Sequence, residues 1–167
     1  MALRLLGGSC CVLSIVDVDR VVWKSCSFSG NNASQIKEEP RYESYCSWVV
    51  QDDTGRGVTI LDSKADPRCI HMRQKPGFEF YAGVPLVTID KTKIGSLSIR
   101  GPARSQVSVV DMNILHEMAV WASGEMDTIA QQRRLEVQHD MLNARVKLTQ
   151  NIEIFNEQSR PAILENV

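Results

Sequence analysis

The feature that most constrains this chain is a change of hydrophobic period at Gly101-Pro102. Before it, apolar residues come in short β-branched runs separated by turn residues; after it they recur at spacings of three and four. A strand pattern followed by a helical one puts the chain in an α/β or α+β class, an antiparallel sheet with flanking helices and a long C-terminal helix.

In the strand half, residues 10–16 and 21–26 flank the polar Asp17-Val18-Asp19-Arg20 and predict a β-hairpin. Residues 27–43, rich in Ser, Gly, Asn, Glu and Pro with few large apolar side chains, are expected to form a long surface loop. Within residues 44–50, Tyr45, Trp48 and Val49 lie as one side of a short helix; a buried strand fits the same spacing, and the helix is the preferred reading. Gly55 and Gly57 mark a turn and residues 58–61 a strand, after which Asp66-Pro67 suits the start of a helix. Residues 78–89 and 94–100 then flank Asp90-Lys91-Thr92-Lys93 as a second hairpin.

In the helical half, Ser108 stands three residues before Asp111 as in a capping box. Leu115, Met118, Ala119, Ala122, Met126 and Ile129 form one stripe, expected to pack on the sheet. Beyond Gln131 the chain turns rich in Arg, Glu, Gln and Lys, while Val137, Met141, Ala144, Leu148 and Phe155 continue the seam in steps of four and three around the polar Asn151. Such a seam needs a partner: the same helix of a second copy, giving a parallel homodimer, or the chain's own domain if the helix folds back. Pro161 and the residues after it read as a frayed end.

Composition narrows the function. The chain carries 19 Lys and Arg against 20 Asp and Glu, so no basic excess is present to track nucleic-acid phosphates. Its five cysteines form an odd set without C-x-x-C or zinc-finger spacing, which predicts free thiols in the reducing cytoplasm and no metal site. Residues 1–16 imitate a signal peptide, but Gly7, Gly8 and Ser9 interrupt the apolar run, and no stretch is long enough to insert into a membrane. Asn32-Ala33-Ser34 is a glycosylation sequon without meaning in a cytosolic chain. No Walker loop, Ser-His-Asp set or H-E-x-x-H occurs.

Several blocks fall in the order found in GAF domains. They are Tyr45-Cys46-Ser47-Trp48-Val49, Asp62 with Asp66-Pro67-Arg68, Phe80-Tyr81-Ala82-Gly83-Val84-Pro85-Leu86 and Ile94-Gly95-Ser96-Leu97-Ser98-Ile99. The leading Val16-Asp17-x-Asp19-Arg20 and Trp23-Lys24-Ser25 resemble the same family, so the likeness spans about residues 5–127. The resemblance implies a twisted antiparallel sheet with helices on both faces, a small-molecule cavity on one face, and terminal helices that join dimers and relay signals. It implies a sensory or regulatory domain at 1–127, a helical output or dimerisation arm at 128–158 and a flexible tail at 159–167. It also implies a fragment of a longer architecture, since the first strand starts almost at Met1.

Departures from subfamilies matter as well. The Asn-Lys dipeptide of cyclic-nucleotide-binding members is missing, and Leu97-Ser98-Ile99 stands where many members have Leu-Cys-Ile, so neither a cyclic nucleotide nor a covalent chromophore is expected. Cys46 and Cys69 do not lie in the context of the free methionine sulfoxide reductases that share the fold, which makes a non-enzyme the expectation and a thiol redox enzyme an alternative, beside a scaffold without ligand. The resemblance puts Cys46, Trp48, Ile60, Asp62, Asp66, Phe78 and Tyr81 around the cavity. Each has a plainer role: Cys46 as a small core residue, the aromatics as core, Asp62 and Asp66 as helix caps. No Lys, Arg or His adjoins Cys46 in sequence to activate its thiol. His71 and Arg73 are basic candidates for an acidic ligand. His139-Asp140 resembles a phosphoacceptor pair, though an ordinary solvated histidine fits equally.

Overall fold

The computed structural model describes residues 6, 8–28, 37–70, 79–104 and 106–164, and the chain divides into two units, Met1–Glu125 and Met126–Val167. In the first, β1 (Cys10–Val16) and β2 (Arg20–Phe28) form the expected hairpin. Asp17 fixes the turn, its carboxylate accepting from the Val18 N–H at 2.8 Å and its own N–H donating to the Arg20 carbonyl at 2.8 Å. The pairing slips between Leu13 and Ser14, leaving Lys24 as the extra residue of a bulge. That bulge turns Trp23 to the same buried face as Cys26, which their odd spacing would otherwise forbid.

The expected loop over residues 27–43 is corrected: β2 runs on to Phe28, and a third strand, β3 (Lys37–Pro40), pairs along its edge before a 3₁₀ turn at Arg41–Glu43. An edge strand of sequence Lys-Glu-Glu-Pro has no apolar alternation to betray it. Backbone pairing and the Arg20–Glu38 contact at 3.1 Å hold it, and neither has a hydrophobic signature.

After Ser44, whose hydroxyl accepts from the Cys46 N–H, comes the helix α1 (Tyr45–Gln51). β4 (Val58–Ile60), a 3₁₀ turn at Pro67–Cys69, β5 (Phe80–Val87) and β6 (Lys93–Gly101) complete the sheet, whose order is β3-β2-β1-β6-β5-β4 with every neighbour antiparallel. This is an α+β fold. Between α1 and β4, Gly57 has φ +85°, and a Cβ there would stand 2.2 Å from the Gly83 carbonyl oxygen; only glycine lets the loop pass so close to β5.

Every residue of β5 from Phe80 to Leu86 is buried because the sheet is covered on both faces. α1 packs on β6, β5, β1 and β4. The opposite face presents Phe80, Ala82 and Ile99 to Met112 and Leu115 of the helix α2 (Val109–Leu164). The reciprocal bonds of Ser108 and Asp111 start α2 as a capping box, at 3.0 and 3.4 Å. The stripe is partly corrected. Leu115, Ala119 and Ser123 are the buried line, Ser123 accepting from the Val87 N–H at 3.0 Å, whereas Met118, Ala122 and Met126 are half-buried and Ile129 is exposed. Steps of four from Leu115 bring Ala119 and Ser123 onto the sheet, with Met118 and Ala122 on the flank of that line.

In the second unit all residues from 128 to 158 are exposed, including Val137, Met141, Ala144, Leu148 and Phe155. The helix continues through Pro161 to Leu164, past residue 159 where a tail was expected. A proline costs a helix one backbone bond, and so near the end that loss does not unwind the last turn. Among the described residues no helix is long and apolar enough to cross a membrane.

Candidate functional site

The sheet face under α1 is built in cross-strand rows. One row runs Ile60, Tyr81, Arg100, Cys10; the rows beside it carry Gly83 and Ser98, then Ser96 and Ser14. Small residues at the centre of a sheet leave depth below the covering helix, and long side chains from the neighbouring row occupy it. Tyr81 lies back across Gly83, where a Cβ would meet its hydroxyl at 2.3 Å. From above, α1 lowers Cys46 onto the same spot, and the Tyr81 hydroxyl lies 3.7 Å from its sulfur.

Arg100 is the centre of this site. It is 6% exposed, with its guanidinium carbon 4.6 Å from the Trp23 ring centre and 5.4 Å from that of Tyr81. Its Nη2 lies 3.3 Å from Cys46 Sγ and 4.0 Å from Glu39 Oε1. That oxygen also accepts from the Ser44 hydroxyl at 2.5 Å and from the Trp23 indole at 3.4 Å. Arg100 Nε has no hydrogen-bond partner among the described residues. A guanidinium keeps its proton under all ordinary conditions, so its burial requires negative charge close by.

The charges set the protonation states. Burial pushes the Cys46 thiol up, but Arg100, helped by hydrogen bonds from Ser14, Ser96 and Tyr81, outweighs it and holds the thiol below its ordinary value. Burial, then the Cys46 charge, drives the Tyr81 hydroxyl well above the usual tyrosine range, so it stays a donor. The other thiols go the opposite way. Burial takes Cys11 up to about 11, and burial with a bond to Cys26, whose sulfur is 3.1 Å away, takes Cys10 far above the thiol range.

Of the residues expected around a cavity, Cys46, Ile60 and Tyr81 meet in one buried cluster, with Trp48 packed against its edge. Trp48 looks outward as well: with Gln51 it lines two open clefts of about 390 and 550 Å³, one bounded by Asp52, Val58 and Arg68, the other by Arg41 and Tyr42. Asp62 and Asp66 do not join the cluster. Asp66 caps the 3₁₀ turn, accepting from the Arg68 N–H at 2.9 Å and pairing with its side chain, and Asp62 accepts from the Lys64 N–H at 2.8 Å. Phe78, His71 and Arg73 lie outside the described residues.

Arg100, Glu39, Trp23, Ser14 and Ser96 were missed by sequence reasoning, and the expectation that nothing basic activates Cys46 is corrected by Arg100, 54 residues away. A signal existed. Ser96, Ser98 and Arg100 alternate with Leu97 and Ile99 as they would on a strand with one wet face, but here the polar face lies under α1.

Among the described residues, this arrangement of six antiparallel strands between a short helix and the start of a long one is the GAF fold. The GAF-B domain of DevS from Mycobacterium smegmatis aligns with a TM-score of 0.59 at 17% identity, over 80% of this chain and 90% of that domain. The blue-light-absorbing PixJ GAF domain of Thermosynechococcus elongatus gives 0.62 at 15% identity, over 82% and 84%. In sequence, the chain is 26% identical over 152 residues to a cyclic di-GMP phosphodiesterase of Pseudomonas aeruginosa, covering 86% of this chain but only 24% of that enzyme. No family profile matches the chain.

Proposed function

We propose that this chain is a cytoplasmic sensory or regulatory domain, not an enzyme, which takes up a small molecule between α1 and the sheet and passes the event on through paired C-terminal helices. The observation that carries this reading is the polar cluster around Arg100 beneath a short covering helix. A domain selected only for stability would gain as much from apolar residues at those positions, since burying charge gives little net stabilisation. A ligand shifts the helices only by binding two arrangements unequally, and α2 supplies a route because a single helix spans Val109–Leu164. The phosphodiesterase match covers about a quarter of that enzyme, so its catalytic activity is not carried over to this chain.

A second reading, a dimerisation scaffold without ligand, is favoured by the complete burial of Tyr81 and Cys46, which leaves the interior filled by the chain's own side chains. Native mass spectrometry of the gently purified protein separates the two. A dimer carrying a discrete extra mass is the expected result; a dimer without one supports the scaffold, and a bare monomer overturns the paired helices.

A further inference from the structure

We propose that Cys46 is a site of oxidation by hydroperoxides to the sulfenate, with Arg100 and Tyr81 activating the sulfur. This rests on reading the buried cluster under α1 as the sensory site, reached when α1 lifts from the sheet because Cys46 is fully buried, and it names a signal that site answers to.

Three observations converge on the sulfur. Arg100, a permanent cation, is 6% exposed, and the carboxylate facing it stands at 4.0 Å and is shared with Ser44 and Trp23. Cys46 Sγ, at 3.3 Å, is nearer to the guanidinium than that carboxylate, so the sulfur is the group best placed to complete its neutralisation. The buried Nε, without a partner among the described residues, leaves guanidinium capacity for one more acceptor atom on the same side chain. Finally, the Tyr81 hydroxyl approaches the sulfur at 3.7 Å. A site with one cation and one hydroxyl donor at the sulfur favours the thiolate, which is the nucleophilic form.

In the reaction, the Cys46 thiolate attacks one oxygen of hydrogen peroxide. The S–O bond forms as the O–O bond breaks, sulfur giving up two electrons and the peroxide accepting them. The departing hydroxide takes the proton of the transferred oxygen and leaves as water, so a thiolate and a peroxide become a sulfenate and a water. The sulfenate oxygen is the added acceptor, and it keeps the negative charge beside Arg100. Among the described residues, none of Cys10, Cys11 and Cys26 has an Arg, Lys or His hydrogen-bonded to its sulfur: Cys10 and Cys26 face each other, and Cys11 is only half-buried.

Cys11 is therefore a reference within the same molecule, being more accessible than Cys46 but without its activation. The reduced full chain is treated with hydrogen peroxide in the presence of dimedone, and adducts at the five cysteines are quantified by peptide mass spectrometry. Cys46 is expected to be labelled first, about tenfold or more faster than Cys11. Arg100→Gln should bring it to the Cys11 rate or below. Tyr81→Phe, which keeps the buried ring and hence the fold, should slow it severalfold. Labelling of Cys11 before Cys46, or no adduct on Cys46 in the folded chain, overturns the proposal, as does a Tyr81→Phe rate equal to wild type. Native mass spectra of the same sample separate the two ideas. A ligand-bearing dimer with unlabelled Cys46 leaves the sensory reading standing and removes the oxidation, whereas a labelled bare monomer does the reverse for the helical output.

Discussion

Arg100 shows what one buried charge imposes on its neighbours. Because it cannot lose its proton, it draws Cys46 toward the thiolate, while burial and the charge on Cys46 keep Tyr81 a neutral phenol against the pull of Arg100. The consequence for stability has a definite sign. Cys46 has a lower pKa folded than unfolded, so its contribution is fully present above the unfolded thiol value of about 8.5 and is lost as pH falls through its own lower value. Cys10 and Cys11, whose values are raised, act oppositely and lose stability as pH rises past the unfolded value. The difference in unfolding free energy between wild type and Cys46→Ala isolates the first effect. In urea melts at several pH values that difference should grow with pH up to the unfolded thiol range, and with Arg100→Met as the background it should no longer do so. Removing Arg100 should itself cost no more than about 3 kcal/mol, at the low end for breaking a buried pair, because Cys46 can take up a proton.

Among the elements, α1 and the loop after it decide how closely the site is covered. Ser44 begins the helix and donates to Glu39, and Asp52 gathers the loop by accepting from the N–H groups of Thr54 and Gly57 at 3.2 and 2.9 Å. Two glycines of that loop share a positive φ but differ in surroundings. Gly55, at +68°, has nothing within 4 Å of where a methyl group would sit, whereas at Gly57, at +85°, the same methyl would meet a backbone carbonyl. Gly55→Ala should therefore cost about 1 kcal/mol for the backbone conformation alone, and Gly57→Ala at least about 2 kcal/mol more because β5 must move. Denaturant unfolding of both variants tests the order; equal costs would show that the loop moves freely away from β5.

On the scale of the whole molecule, the second unit leaves large apolar side chains in water: Met141 is 68% exposed, Leu148 63% and Phe155 69%. A helix of charged and polar composition gains little by itself from such residues, since helix stability in proteins comes mainly from packing one face. Pairing with a second copy is the proposed remedy. Met141→Glu combined with Leu148→Glu should convert a dimer into a monomer in analytical ultracentrifugation and reduce the helical circular dichroism signal. A dimer of unchanged mass would remove the seam from Val137 to Phe155 as the interface.

The local order of the chain was legible without its structure. Val, Ile and Trp runs around Asp17 to Arg20, the Ser108 and Asp111 cap and the helix start expected at Asp66-Pro67, which extends only as the 3₁₀ turn Pro67–Cys69, each act through neighbours in sequence, so their physics is written locally. The order of GAF-like blocks likewise pointed to the fold that the structure shows. What only the tertiary structure decided is the site. β3 is an edge strand that exists because β2 offers it unpaired backbone groups, and it brings in Glu39; β6 brings Arg100 to Cys46 from 54 residues away. The polar alternation of Ser96, Ser98 and Arg100 has the same appearance whether it faces water or a helix. Its meaning was fixed only when α1 closed over that face, because burial turns a solvated arginine into a charge that its neighbours must balance.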